Sequence, residues 1–115
     1  MIQIFGIKNC DTMKKAFRWL DDNNIEYSFH DYKKSALDEA TAKVWIETMG
    51  WESIINKRGT TWRKLDEETK STMNDDNAIH IMIAQPSIIK RPLIVAKGSI
   101  YLGFSAEEYA NIFLA

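Results

Sequence analysis

The first 22 residues constrain the fold more than any other segment. Met1-Ile2-Gln3-Ile4-Phe5 suits a short strand, and Gly6-Ile7-Lys8-Asn9 reads as a turn. Cys10 then opens an amphipathic helix that runs to about Asp22, with Met13, Ala16, Phe17 and Leu20 at i, i+3, i+4 and i+7. Cys10 is also the only cysteine. At a helix start the first backbone N–H groups have no partner within the helix, and the helix dipole favours an anion. Both effects favour thiolate over thiol, and the thiolate is the nucleophile.

The size of that effect sets a further requirement. Lowering a thiol's pKa by about two units takes ~2.7 kcal/mol of preference for the anion. A helix N-terminus supplies ~0.3–1 kcal/mol, and about 2 at best. A nucleophilic Cys10 therefore needs a cation too. Lys8 and Lys14 are close in sequence, and Arg58, Arg63 and Arg91 are distant residues that the fold can bring in. The competing reading is a small, buried, inert cysteine; the strand-turn-helix setting favours function.

At 115 residues the chain is expected to form one domain, residues 1–115, with a core that needs no staples. A formal net charge of −1 gives no sign of a polyanion binder, so direct nucleic-acid binding is not expected. One cysteine forms no internal disulfide, which fits a reducing, cytoplasmic location. No apolar run is long enough to span a membrane, and the N-terminus reads as a strand rather than a signal segment. His30, His80 and Cys10 lack metal-ligand spacing, so no metal is expected.

A second strand covers residues 26–31, Glu26-Tyr27-Ser28-Phe29-His30-Asp31. Ser35 with Asp38 resembles a cap for a helix carrying Leu37, Ala40, Thr41, Val44 and Thr48 to a stop at Gly50. Trp51 to Ile55 reads as a short helix, Asn56 to Arg63 as a loop, and Leu65 to Met73 as a polar helical stretch. Asp75 to Ala84 is apolar on more than one face and so reads as a buried helix, ended by Pro86. Leu93–Ala96 and Ser99–Leu102, joined by Lys97-Gly98, fit a tight hairpin. A last helix starts at Ser105 with Glu108 as its capping box, and Ala106, Tyr109, Ala110 and Phe113 as its buried stripe.

The order is β-α-β, a helical insert over approximately 35–84, then α-β-β-α. A β-α-β start wants a parallel pair with a right-handed crossover. The outcome is an α/β, thioredoxin-like mixed sheet with a helical insertion and a thiol at the start of the first helix. That fold places a cis proline just before its third strand, and Arg91-Pro92-Leu93 offers one there.

Four segments in order resemble the arsenate reductase (ArsC)/Spx-like family, most closely its YffB-like branch. They are Ile4 to Thr12, Ile55 to Arg63, Pro86 to Val95, and Gly103-Phe104-Ser105. The resemblance implies that Cys10 is the catalytic or redox cysteine. It also implies that Arg91 is the anion-binding arginine before the cis proline, with a further arginine from the insert, Arg58 or Arg63. Two departures matter. Arsenate reductases carry another arginine where this chain has Gly103-Phe104. Spx-type regulators, which bind RNA polymerase, use Cys-x-x-Cys, and here the second position is Met13.

The resulting expectation is a monothiol, glutathione-dependent reductase or thiol transferase. Cys10 is its nucleophile, and glutathione is co-substrate and partner. An external thiol such as a glutaredoxin resolves the adduct. Lys8, Arg58, Arg63 and Arg91 are the expected anion-holding groups, with the backbone around Pro92 and Leu93 pairing with the glutathione peptide. The alternatives are arsenate reduction and an Spx-like module that binds RNA polymerase without catalysis. Trp19, Trp45, Trp51 and Trp62 read first as packing residues, His30 and His80 as structural histidines, and Lys8 as structural or functional in equal measure.

Overall fold

The fold comes from a computed structural model that describes residues 1–114. In chain order the elements are β1 (Ile2–Gly6), α1 (Asp11–Asp22), β2 (Tyr27–Asp31), α2 (Glu39–Met49), α3 (Trp51–Ile54), α4 (Thr60–Arg63), α5 (Glu67–Ser71) and α6 (Asp75–Ala84). A 3-10 turn (Pro86–Ile88), β3 (Leu93–Ala96), β4 (Ser99–Leu102) and α7 (Ala106–Phe113) follow. The chain divides into two compact units, Met1–Lys34 with Arg91–Ala115, and Ser35–Lys90.

The first unit holds a four-stranded sheet in the order β2-β1-β3-β4. β1 and β2 are parallel, with Gly6 opposite Asp31. β1 and β3 are antiparallel, with Phe5 opposite Leu93, and β3 and β4 are antiparallel, with Leu93 opposite Leu102. Lys97 and Gly98, at φ 52° and 76°, make the tight hairpin between them. The helical spacing of α1 is realised in packing: Met13, Ala16 and Leu20 meet Ile4, Ile94, Ala96 and Tyr109 in one buried cluster. Burying each large apolar side chain contributes about 1.5–3 kcal/mol. This is the thioredoxin-like mixed sheet that the order of elements leads to.

In the second unit α2 packs on α3 and α6, and the 3-10 turn packs on α6 and α4. Ile55 and Ile89 form a bridge, flanked by Asn56 N–H donating to Ile88 O (2.8 Å) and Lys90 N–H donating to Ile54 O (2.9 Å). Trp45, Ile46, Ile54, Ile55, Met82, Ile88 and Ile89 are buried.

Several local expectations need correction. The stretch read as a loop ends in the helix α4, whose first turn closes through Arg63 N–H donating to Gly59 O (3.2 Å). Thr61 anchors that turn by a hydroxyl–hydroxyl bond to Ser87 (2.7 Å). α2 is capped by Asp38, not Ser35: its carboxylate accepts from Thr41 N–H at 2.7 Å. The buried face of α2 is Ala42, Trp45 and Ile46, because the helix turns the large Trp45 and Ile46 side chains, with Ala42 one turn before them, into the core; Val44 is 57% exposed. α6 buries only Ala78 and Met82, and His80 is exposed. His30, on the edge strand β2, is also exposed; it bonds to Gln3 and stacks on Phe5. In α7 Ala106 is exposed and Tyr109 fills the core.

Candidate active site

The strand registers bring separate segments to one end of the sheet within the first unit. β1 ends at Gly6, which leads into the turn before Cys10. β2 ends beside Gly6, and Tyr32 N–H donates to Gly6 O at 3.0 Å. β3 begins opposite Phe5, so Arg91-Pro92 enters at that same end. β4 finishes opposite Leu93, and Gly103 N–H donates to Pro92 O at 2.9 Å. The turn before Cys10, Tyr32, Arg91-Pro92 and Gly103 therefore share the end of the sheet from which α1 departs.

Cys10 is the N-cap of α1, with extended backbone (φ −147°, ψ 132°), and its side chain makes no capping hydrogen bond. Its carbonyl accepts the first helical bond, from Lys14 N–H at 2.9 Å. The thiol is unpaired with any other cysteine and the residue is half-buried. Three residues on, Met13 is fully buried and packs over Gly6. A Cβ on Gly6 would lie 2.6 Å from Met13 Sδ, so glycine is what allows α1 to sit this close to β1.

The Arg91–Pro92 peptide bond is cis. Pro92 and Leu93 are buried and Arg91 is half-buried. Leu93 is in register with Phe5 on one side and Leu102 on the other, so its backbone lies inside the sheet. Lys8 is exposed in the turn before Cys10. Arg58 and Arg63 belong to the second unit and both are exposed. Arg58 sits in a turn where its N–H donates to Asn56 Oδ1 (3.1 Å), and Arg63 closes α4.

Tyr32 is the residue that sequence reading missed. Its hydroxyl is buried and, among the described residues, has no hydrogen-bond partner. Burial pushes its pKa well above the ordinary tyrosine value, while the Arg91 guanidinium pulls it part of the way back. Tyr32 is thus a neutral phenol within electrostatic reach of Arg91. An aromatic residue directly after a strand carries only a packing signal in sequence.

At Gly103-Phe104, where the family resemblance implies an arginine in arsenate reductases, this chain has a backbone anchor. Gly103 adopts φ +81°, which suits glycine, and its carbonyl accepts from Tyr109 Oη at 2.7 Å. Trp62 stacks with Trp51 at 6.2 Å, and Lys57 Nζ lies 4.7 Å from the Trp51 ring centre. Among the described residues no group of three or more His, Cys, Asp or Glu side chains could hold a metal ion. Among them, too, no helix is long and apolar enough to cross a membrane.

A single-cysteine site at a helix start, on a thioredoxin-like sheet with a cis proline before its third strand, defines a class of thiol proteins. Within it, the chain belongs to the ArsC family, whose model matches residues 5–112. It is similar to a solved protein named YFFB, at 44% identity and TM-score 0.91, covering 96% of this chain and 97% of that one. It is similar also to an arsenate reductase (ArsC) related protein from Brucella melitensis, at 46% identity and TM-score 0.80, covering 97% and 93%. The global transcriptional regulator Spx of Streptococcus pyogenes is 27% identical over 94% of this chain and 81% of that protein. A glutaredoxin from Archaeoglobus fulgidus, at 14% identity and TM-score 0.51 over 99% and 86% of the two chains, shares the fold alone. These relationships support a thiol-based reductase or an Spx-like protein.

Proposed function

We propose that the protein is a monothiol, glutathione-dependent reductase or thiol transferase that acts in the cytoplasm with Cys10 as its nucleophile. The observation that carries this reading is the helix-start Cys10, its side chain uncommitted to capping, at the sheet end that also receives Arg91 and cis-Pro92.

The reaction balances without a second protein thiol. The Cys10 thiolate attacks the glutathione sulfur of a glutathionylated thiol substrate, for which oxidised glutathione is the simplest stand-in; a Cys10–glutathione disulfide forms and the substrate thiolate leaves. A second glutathione, or a glutaredoxin thiol, then attacks the adduct and regenerates the Cys10 thiolate. Arg91 holds a carboxylate, and Lys8 adds positive charge at the mouth of the turn. The backbone around Pro92 pairs with the glutathione peptide; Arg91 supplies that pairing more readily than Leu93, which lies inside the sheet. Arg58 and Arg63 are the two arginines that the family resemblance offers as a further anion-binding group.

Time-resolved mass spectrometry under excess oxidised glutathione tests the reading. The expected product is one glutathione on Cys10, which accumulates until reduced glutathione or a glutaredoxin is added. Arg91→Ala should slow its formation without unfolding the protein. Of Arg58→Ala and Arg63→Ala, one should behave like Arg91→Ala and the other like wild type. If wild type forms no adduct, or if all three arginine variants react like it, the glutathione mechanism is wrong. The likeness to Spx along 94% of the chain favours, as the second reading, a module that binds RNA polymerase. That reading requires partner capture to survive Cys10→Ser.

A further inference from the structure

Among the described residues, Tyr32 stands out because its buried hydroxyl has no hydrogen-bond partner. Tyr109, also buried, donates to Gly103 O at 2.7 Å, and Thr61 and Ser87 satisfy each other. Tyr32 Oη is buried and, among the described residues, unpartnered. An unsatisfied buried hydroxyl is costly, and phenylalanine would fill the same ring volume without it. Tyr32 also follows β2 at the sheet end that receives Arg91 and the turn before Cys10. Tyr32 is pinned to the end of β1 through its N–H to Gly6 O, and its phenol senses the charge of Arg91.

We propose that Tyr32 is a substrate-binding residue: its O–H donates, alongside the Arg91 guanidinium, to a carboxylate of the glutathione moiety that Cys10 engages. This inference rests on the glutathione reading and adds a named specificity group to it. The chemistry is complementary. A phenol held neutral by burial is a donor at every physiological pH. A carboxylate has two oxygens, so it can accept from the guanidinium and the phenol together. Binding then removes a defect present in the free protein, so the hydroxyl costs stability when the site is empty and adds affinity when it is filled.

The test uses Tyr32→Phe and S-methylglutathione, which has the carboxylates of glutathione but no thiol and so binds without chemistry. Calorimetry gives Kd for wild type and variant, and thermal unfolding of the unliganded proteins gives their Tm values. A hydrogen bond to a charged group predicts that Kd rises roughly tenfold or more in Tyr32→Phe. The unliganded variant should melt no lower than wild type. If wild type binds and the variant binds within about twofold of it, the Tyr32 assignment is overturned while the glutathione reading stands. If the unliganded variant melts several degrees lower, the hydroxyl has a structural role and the assignment is again overturned. If wild type does not bind S-methylglutathione, both fall.

Discussion

Replacing Gly6 by alanine measures how tightly the helix carrying Cys10 is held to the strand that feeds it. The added Cβ would stand 2.6 Å from Met13 Sδ and 2.7 Å from its Cε, so the thioether must move by several tenths of an ångström. Methionine is flexible, which lowers the cost. Met13 is fully buried, which raises it, because the displaced tip must find room inside a close-packed core. Overpacking of this kind costs ~1–3 kcal/mol. Against it, glycine-to-alanine replacement stabilises by ~0.4–1 kcal/mol through the unfolded chain where the backbone is compatible, as at this position. The net expectation is a loss of about 0.5–2 kcal/mol, or a Tm lower by roughly 2–8 °C for a domain of this size. Met13→Ala alone should cost ~2–5 kcal/mol. The space it leaves accepts the new methyl group, so the double variant should be less destabilised than the two singles together by at least ~1 kcal/mol. Urea unfolding of all four proteins under one set of conditions gives the cycle. Additivity within ~0.5 kcal/mol, or a Gly6→Ala variant as stable as wild type, refutes the argument.

Burial raises the pKa of Tyr32 and of Tyr109 above the unfolded value of 10.0, so the folded state keeps protons that the unfolded state releases. Their contribution is complete below that value and declines as pH rises beyond it, by ~1.4 kcal/mol per pH unit for each tyrosine; either Phe variant should make the alkaline limb of a stability–pH curve shallower by that slope. Hydrogen bonds from Thr41 and Thr69 lower the pKa of the exposed caps Asp38 and Asp66. Their contribution is present above the usual aspartate range and lost as pH falls through the folded values, so Asp38→Asn and Asp66→Asn should flatten the acid limb while keeping the caps. With no arginine at Gly103-Phe104, turnover of arsenate with glutathione and a glutaredoxin should be weak. One missing charged hydrogen bond is worth roughly tenfold to over a hundredfold, and efficient turnover would contradict that reasoning.

What the sequence made legible follows from how locally each feature is encoded. The helix from Cys10 announces itself through Met13, Ala16 and Leu20, which are all in the core. The hairpin at Lys97-Gly98 and the cap at Ser105 are likewise written in adjacent residues. On α2, small and β-branched residues recur on a helical spacing that competes with Trp45 and Ile46, and only packing decides between two such stripes. α4 was invisible because four residues hold too few periodic positions to signal a helix; its stability comes from Gly59 O and Ser87, the latter 26 residues from its bonding partner. Tyr32 was missed for the same reason. Its significance depends on the register of β2 against β1 and on Arg91, far along the chain.

Met13 links the packing of this site to its chemistry. In a Cys-x-x-Cys protein the residue three after the nucleophile supplies the thiol that opens a mixed disulfide. Here that position is fully buried against Gly6 and holds a thioether, which has no exchangeable proton and cannot attack a disulfide to yield a stable product. The chain has no other cysteine. Any disulfide formed at Cys10 must therefore be opened by a thiol from outside the chain. Cys10 itself is half-buried rather than sealed in the core. With a methionine at that position the chain has no internal resolving step, and the lifetime of a Cys10 adduct depends on the concentration of external thiol.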